Sequence, residues 1–178
     1  SLDDVIINGF NELFLRPKLE GQSHIFSSHF MSQLLNTGSS SSGTEPPNYT
    51  YENVKTWSSR IEGGLFTRQK IFVPINHQNA HWLTMCMNMN RKKISLWDSQ
   101  DDADPDTNVI YMNSALRYLG DEYERAYPQL DDCKEWLEGW EMEDLSHECP
   151  AQKNNFDCGL FHLLNLCCLV IEGNLSLD

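Results

Sequence analysis

The stretch that most constrains this chain is Asp157-Cys158-Gly159, followed at once by the apolar run Leu160 to Ile171. A run of that length predicts a helix of about three turns that must be buried against something. Asp157 suits its N-cap, because a carboxylate there can accept from the free N–H groups of the first turn. The Cys158 thiol then stands in the positive field of a helix N-terminus, which favours the thiolate. A thiolate so placed is a nucleophile. The rest of the chain is expected to supply a base, a group to orient the base, and donors for an oxyanion.

The centre of the chain offers the first two. Lys70-Ile-Phe-Val-Pro-Ile75 reads as a strand ended by Asn76, and His81 to Met89 reads as a second strand. Asn90-Arg-Lys-Lys93 is a polar turn, and Ile94-Ser-Leu-Trp-Asp98 returns from it. Fully extended, His81 and Asp98 would stand on the order of 50 Å apart. A hairpin closing near Asn90 to Lys92 brings them to neighbour distance, within a register error of one or two residues. Cys158, His81 and Asp98 then form a candidate triad, with the imidazole holding or taking the thiol proton and the carboxylate orienting the imidazole. Gln152, six positions before Cys158, can donate its amide to an oxyanion beside the backbone N–H of the nucleophile. By residue type alone, Cys158 and His81 read far more often as a buried thiol and a surface imidazole than as a catalytic pair.

Around this centre the pattern predicts helices. Leu2 to Phe14 is amphipathic, with Ile6, Phe10, Leu13 and Phe14 on its apolar side, Asp3 or Asp4 at its start and Pro17 near its end. Ile25 to Leu35 is helical from Ser28, with no clear role for Ser23 or His29. Tyr51 to Arg60 is a short helix showing Val54 and Trp57 on one side. Val109 to Leu119 is a helix, a strand is expected around Trp136 to Met142, and Gly173 stops the last helix. Thr37 to Pro47, with its serine run and Pro-Pro pair, is a surface loop rather than a domain boundary. Helices first, then strands, then helices suggest α+β with a small central sheet. The 178 residues are expected to form one domain, 1–178.

Composition narrows the function classes. A net charge of -13 argues against nucleic acid as the main partner and admits a partner with a basic face. No apolar run approaches the roughly 20 residues of a membrane span, and no basic, apolar leader stands at the start. The six cysteines have irregular spacing without a paired zinc pattern, which favours free thiols in a reducing, intracellular setting, nuclear or cytoplasmic. Asp101, Asp102, Asp104 and Asp106 make an acidic loop that lacks the glycine and terminal glutamate of an EF-hand, so no metal and no cofactor are expected.

Val73-Pro-Ile-Asn76, His81-Trp82, Trp97-Asp98-Ser99 and Pro150-x-Gln152-x5-Cys158-Gly159 together resemble the motifs of the ubiquitin-like-protein proteases. These include the SUMO-specific proteases and are related to the adenovirus protease. Leu2-Asp3-Asp4-Val5-Ile6-Ile7 and Val54-x-x-Trp57 also match, so the resemblance covers nearly the whole chain in order. It implies an α+β, papain-like cysteine protease fold in circularly rearranged order, with a small mixed sheet flanked by helices. It implies a monomer that cleaves after the Gly-Gly terminus of SUMO or a related modifier, from lysines or from a precursor tail. It assigns His81 as base, Asp98 as orienter, Cys158 as nucleophile and Gln152 as oxyanion donor. Trp82 matches the tryptophan that roofs a narrow tunnel for the Gly-Gly tail, and Gly159 is expected on the substrate side; on charge, Asp4 and the acidic stretch Asp101 to Asp106 are the candidates for meeting a basic patch on the modifier. The chain departs from the pattern at Ser1, where the family has a tryptophan, and at Ala151, where SUMO proteases commonly have glutamine. Other readings of the same residues are a protease for ubiquitin or another modifier, a binding module that does not hydrolyse, and an acetyltransferase of the same clan.

Overall fold

A computed structural model describes residues 3–19, 21–37, 48–100, 104–148 and 157–171. Within them the helices are α1 (Asp4–Phe10), α2 (His29–Leu34), α3 (Pro105–Ala126), α4 (Cys133–Leu137) and α5 (Cys158–Ile171). The strands are β1 (Ser23–Ile25), β2 (Lys70–His77), β3 (His81–Asn88), β4 (Lys93–Asp98) and β5 (Glu141–Asp144). They form a mixed sheet in the order β1-β2-β3-β4-β5. The three central strands are antiparallel, while β1 joins β2 and β5 joins β4 in parallel. The α+β expectation with a mixed sheet flanked by helices holds.

Side chains alternate along a strand, and here both faces are covered, so the central strands read as nearly unbroken apolar runs. Val73, Ile75, Leu83, Met85 and Leu96 pack on one face with Phe30, Met31 and Leu34 of α2 and Ala115, Tyr118 and Leu119 of α3. Phe72, Cys86 and Trp97 pack on the other with Leu15, Ile25, and Leu166 and Leu169 of α5. Phe30 and Ile75 are almost wholly buried, and each such side chain contributes roughly 1.5–3 kcal/mol. The hairpin expected between β3 and β4 is present, with Leu83 opposite Asp98 and Asn88 opposite Lys93.

The outer elements differ from expectation in instructive ways. Asp3 does cap α1, accepting from the Ile6 N–H at 3.0 Å. The helix then widens into a π-turn over Asn11–Leu15, and the inward face carries Ile7, Asn11 and Leu15. Ile6, Leu13 and Phe14, expected inside, are 49%, 72% and 58% exposed. Both sets have helical spacing, so packing against the sheet, not periodicity, made the choice. Tyr51 to Arg60 is not one helix but two 3₁₀ turns, Tyr51–Asn53 and Ser58–Arg60, although Val54 and Trp57 do pack into the core. A strand of three residues at Ser23–Ile25 gives Ser23 a role, pairing with Lys70. β2 runs past Asn76 to His77. The helix expected from Val109 starts four residues earlier, where Asp104 caps and Pro105 opens it, and ends seven later at Ala126. The strand expected around Trp136 begins only at Glu141: Trp136 lies on α4, stacked on Tyr123 at 4.6 Å, and Gly139 at φ +80° turns the chain into β5. The serine-rich loop and Gly173 lie outside the described residues.

Candidate active site

The turn between β2 and β3 sets the site. His77 and His81 face each other across it, and the Ala80 N–H donates to the His77 carbonyl at 3.0 Å. Gln78 and Asn79 both adopt left-handed backbone angles, φ +52° and +56°. Two consecutive positive φ values are what a tight hairpin turn with the strands' own twist demands. His81 thereby becomes the first residue of β3, and Asp98 the last of β4.

Asp98 pairs with Leu83, so alternation puts it on the face that His81 also uses, one diagonal away. The His81 Nε2 and Asp98 Oδ1 atoms are 2.5 Å apart, with 9% and 4% of the residues exposed. A hydrogen bond to a carboxylate in so dry a place is strong and fixes the imidazole's orientation. Asp98 is itself held: its Oδ1 accepts from the Gln100 N–H at 2.9 Å, and its own N–H donates to Ser146 Oγ at 3.2 Å. On the α3 side, the Tyr111 hydroxyl shares a 2.7 Å hydrogen bond with His77 Nδ1. Burial, with the Asp98 charge, raises the Tyr111 pKa and keeps the phenol neutral. Burial, with the neighbouring His81, lowers that of His77.

Cys158 arrives from the other side of the sheet. Asp157 stands at the N-cap position of α5, its carbonyl accepting from the Phe161 N–H at 3.0 Å. The thiol thus occupies the positive end of a 14-residue helix. It is 1% exposed and packs with Ile7, Trp82 and Leu163. Its Sγ donates to the carbonyl oxygen of Ala80 at 3.8 Å, the residue immediately before His81. The sulfur and the His81–Asp98 pair therefore share one end of the sheet. Gly159 is buried in the first turn of α5.

Trp82 and Thr84 alternate away from His81 and meet α5. Trp82 is 2% exposed, stacked on the His162 ring at 5.6 Å with 28° between planes. Thr84 Oγ1 and His162 Nδ1 share a 2.7 Å hydrogen bond. Burial pushes the His162 pKa down to about 3, against a weaker opposing pull from the Leu83 backbone. Asp4, at the head of α1, takes hydrogen bonds from Ser28 Oγ and from Asn76 Nδ2, the latter at 3.1 Å, and so ties α1 to α2 and β2. Gln152 lies outside the described residues, as do Asp101 and Asp102; Asp104 is engaged in capping α3. His77, Tyr111 and His162 were not singled out from sequence. His162 carries a readable signal, being one polar ring in an apolar run, one helical turn after Cys158 and so on the same face.

Among the described residues, no three or more His, Cys, Asp or Glu side chains are grouped to hold a metal ion. Nor is any helix among them long and apolar enough to cross a membrane.

Comparison with known proteins gives the family. Residues 2–177 match the family model described as the Ulp1 protease family, C-terminal catalytic domain. The ubiquitin-like-specific protease ESD4 of Arabidopsis thaliana is 31% identical over 170 residues, covering 91% of this chain and 31% of that protein. Sentrin-specific protease 5 of Homo sapiens is 29% identical over 171 residues, covering 96% of this chain and 19% of that protein. The chain thus spans a third or less of these curated relatives. The crystal structure of the C-terminal Ulp1 protease domain in complex with Smt3, the yeast ortholog of SUMO, superposes with a TM-score of 0.74. It covers 99% of this chain and 69% of that one at 22% identity, a likeness of fold. The chain belongs to the Ulp1 protease family.

Proposed function

We propose that this member of the Ulp1 protease family is a cysteine isopeptidase and endopeptidase, cleaving after the C-terminal Gly-Gly of SUMO or a related ubiquitin-like modifier. The observation that carries the reading is the buried His81–Asp98 pair, 2.5 Å apart, at the sheet end where the Cys158 sulfur meets the Ala80 carbonyl. The curated relatives named above are proteases for ubiquitin-like proteins and sentrin, which supports the substrate class.

In this reading the Cys158 thiol passes its proton to His81, and the thiolate attacks the carbonyl carbon of the terminal glycine. The tetrahedral oxyanion is met by the backbone N–H at the nucleophile and by the Gln152 amide. His81, held by Asp98, gives its proton to the departing lysine or peptide amine, leaving a thioester on Cys158. Water then loses a proton to His81 and attacks the thioester. The modifier leaves with a free carboxylate, and the proton returns to the Cys158–His81 pair. Trp82, next to His81, supplies a flat surface over a tail without side chains. Asp4 and the acidic residues 101–106 are proposed to face a basic patch on the modifier, in keeping with a net charge of -13. The described cysteines are free thiols, which fits an intracellular setting.

The test is a panel of suicide probes built on SUMO, ubiquitin and other modifiers, each ending in a thiol-reactive group. The expected result is one covalent adduct on Cys158 with a SUMO-class probe. Cys158→Ala should bind the modifier without cleaving, and Gln152→Ala should slow turnover by roughly a hundredfold or more. Unchanged turnover in purified Cys158→Ala protein would refute the mechanism, and a chain that binds modifiers but labels with none would be a docking module.

A further inference from the structure

His162 is an unusual residue to bury. It lies in the second turn of an apolar helix, is 1% exposed, and its ring meets Trp82, which itself clusters with Leu163, Ile7 and Cys158. A hydrophobic residue of similar size would fill the space without the cost of desolvating an imidazole. What the imidazole adds is two directional contacts. One is the 2.7 Å hydrogen bond to Thr84 Oγ1, a hydroxyl that is itself wholly buried. The other is the offset stack on Trp82, with 28° between the rings. Both partners sit on one face of β3, two residues apart, flanking Leu83. His162 therefore pins the indole from beneath, in rotation and in height, and α5 carries that pin one helical turn from the thiol. A purely apolar contact is non-directional and would let the indole slide.

We propose that His162 is a positioning residue that fixes the Trp82 indole and thereby sets how strictly the site demands glycine in the substrate tail. This rests on the reading above, in which Trp82 covers that tail. An indole held at fixed height over the cleft leaves room for a backbone without side chains. An indole free to tilt admits a methyl group.

The experiment compares two fluorogenic substrates, one modifier ending Gly-Gly and the same modifier ending Gly-Ala, on wild type, His162→Ala, His162→Phe and Thr84→Val. The readout is the ratio of kcat/KM for the two tails, with Cys158 alkylation by iodoacetamide and the far-UV circular dichroism as controls. The expected result is strong preference for Gly-Gly in the wild type. The ratio should fall about tenfold in His162→Ala, the order expected when a stacked and hydrogen-bonded partner is lost. His162→Phe keeps the ring and should recover part of the ratio. Thr84→Val removes only the hydroxyl and should lower the ratio less than His162→Ala; it carries the test if that variant does not fold. Equal losses on both substrates, leaving the ratio unchanged, would mean that His162 only supports the fold and would overturn the proposal alone. A wild type that shows no tail preference would overturn it together with the reading of Trp82.

Discussion

Acid should destabilise this protein through His162 in a way that one substitution can isolate. The imidazole's ordinary pKa of 6.5 is pushed down to about 3 in the folded chain, first of all by burial. The unfolded chain therefore binds a proton between those two values that the folded chain refuses. Stability is whole above pH 6.5 and is lost as the pH falls through that window. At pH 4.5, two pH units below the free value and still above the folded one, the loss amounts to about 3 kcal/mol. His24 adds a loss of the same sign, since burial, with the Arg16 and Arg68 charges, lowers its pKa to about 4. The assay is urea unfolding of wild type and His162→Gln at pH 7, 6, 5 and 4.5. His24 and the carboxylates titrate alike in both proteins and cancel in the difference. The variant should be the less stable at pH 7, where it lacks the fit of the imidazole, and the gap should narrow by about 3 kcal/mol at pH 4.5. Two parallel stability curves across that range would show that His162 takes up protons in the folded state, and the desolvation reasoning would fail.

Asp98→Asn keeps the volume but removes the charge that braces His81, and should lower kcat about a thousandfold or more while the melting temperature holds within a few degrees; a loss under tenfold on a Gly-Gly substrate would count against the triad. Asp4→Ala removes the acceptor shared by Ser28 and Asn76 and should cost about 1–2 kcal/mol of stability in the absence of substrate. Denaturant midpoints check this, and a rise in KM for the modifier separates the proposed binding role from that structural one. Arg125→Ala strips the cation from Glu122, which is 0% exposed and otherwise bonded to the Tyr51 hydroxyl. The Arg125 side chain is itself 44% exposed, so the expected cost is about 1–3 kcal/mol, and unchanged thermal unfolding would show that this pair adds nothing to stability.

What could be read from the chain beforehand was whatever depends on local pattern plus one turn. The β3–β4 hairpin follows from two short, mostly apolar runs on either side of the polar turn Asn90 to Lys93, and it carries the distance between His81 and Asp98 with it. The helix after Cys158 follows from a run that is apolar except for His162 and Asn165, with Asp157 ahead of it. Features decided by distant partners were not readable. β1 exists because β2 offers a free edge, and Ser23–Ile25 is too short to show alternation of its own. The first helix turns Ile7 rather than Ile6 inward because of what lies beneath it. β5 is an acidic segment, Glu141 to Asp144, whose pairing with β4 is backed by Lys93 bonding to Glu143 at 2.6 Å across the strands. The position of His162 was legible but its role was not: an apolar run predicts burial and says nothing of a buried ring's partners.

The imidazole and its carboxylate are tethered by a single hairpin, whereas the sulfur is delivered by a helix that comes sixty residues later. The two halves of the proposed reactive centre therefore have separate anchorages. A substitution that shifts the late helix should then slow the chemistry of the thiol while leaving the 2.5 Å separation within the pair unchanged.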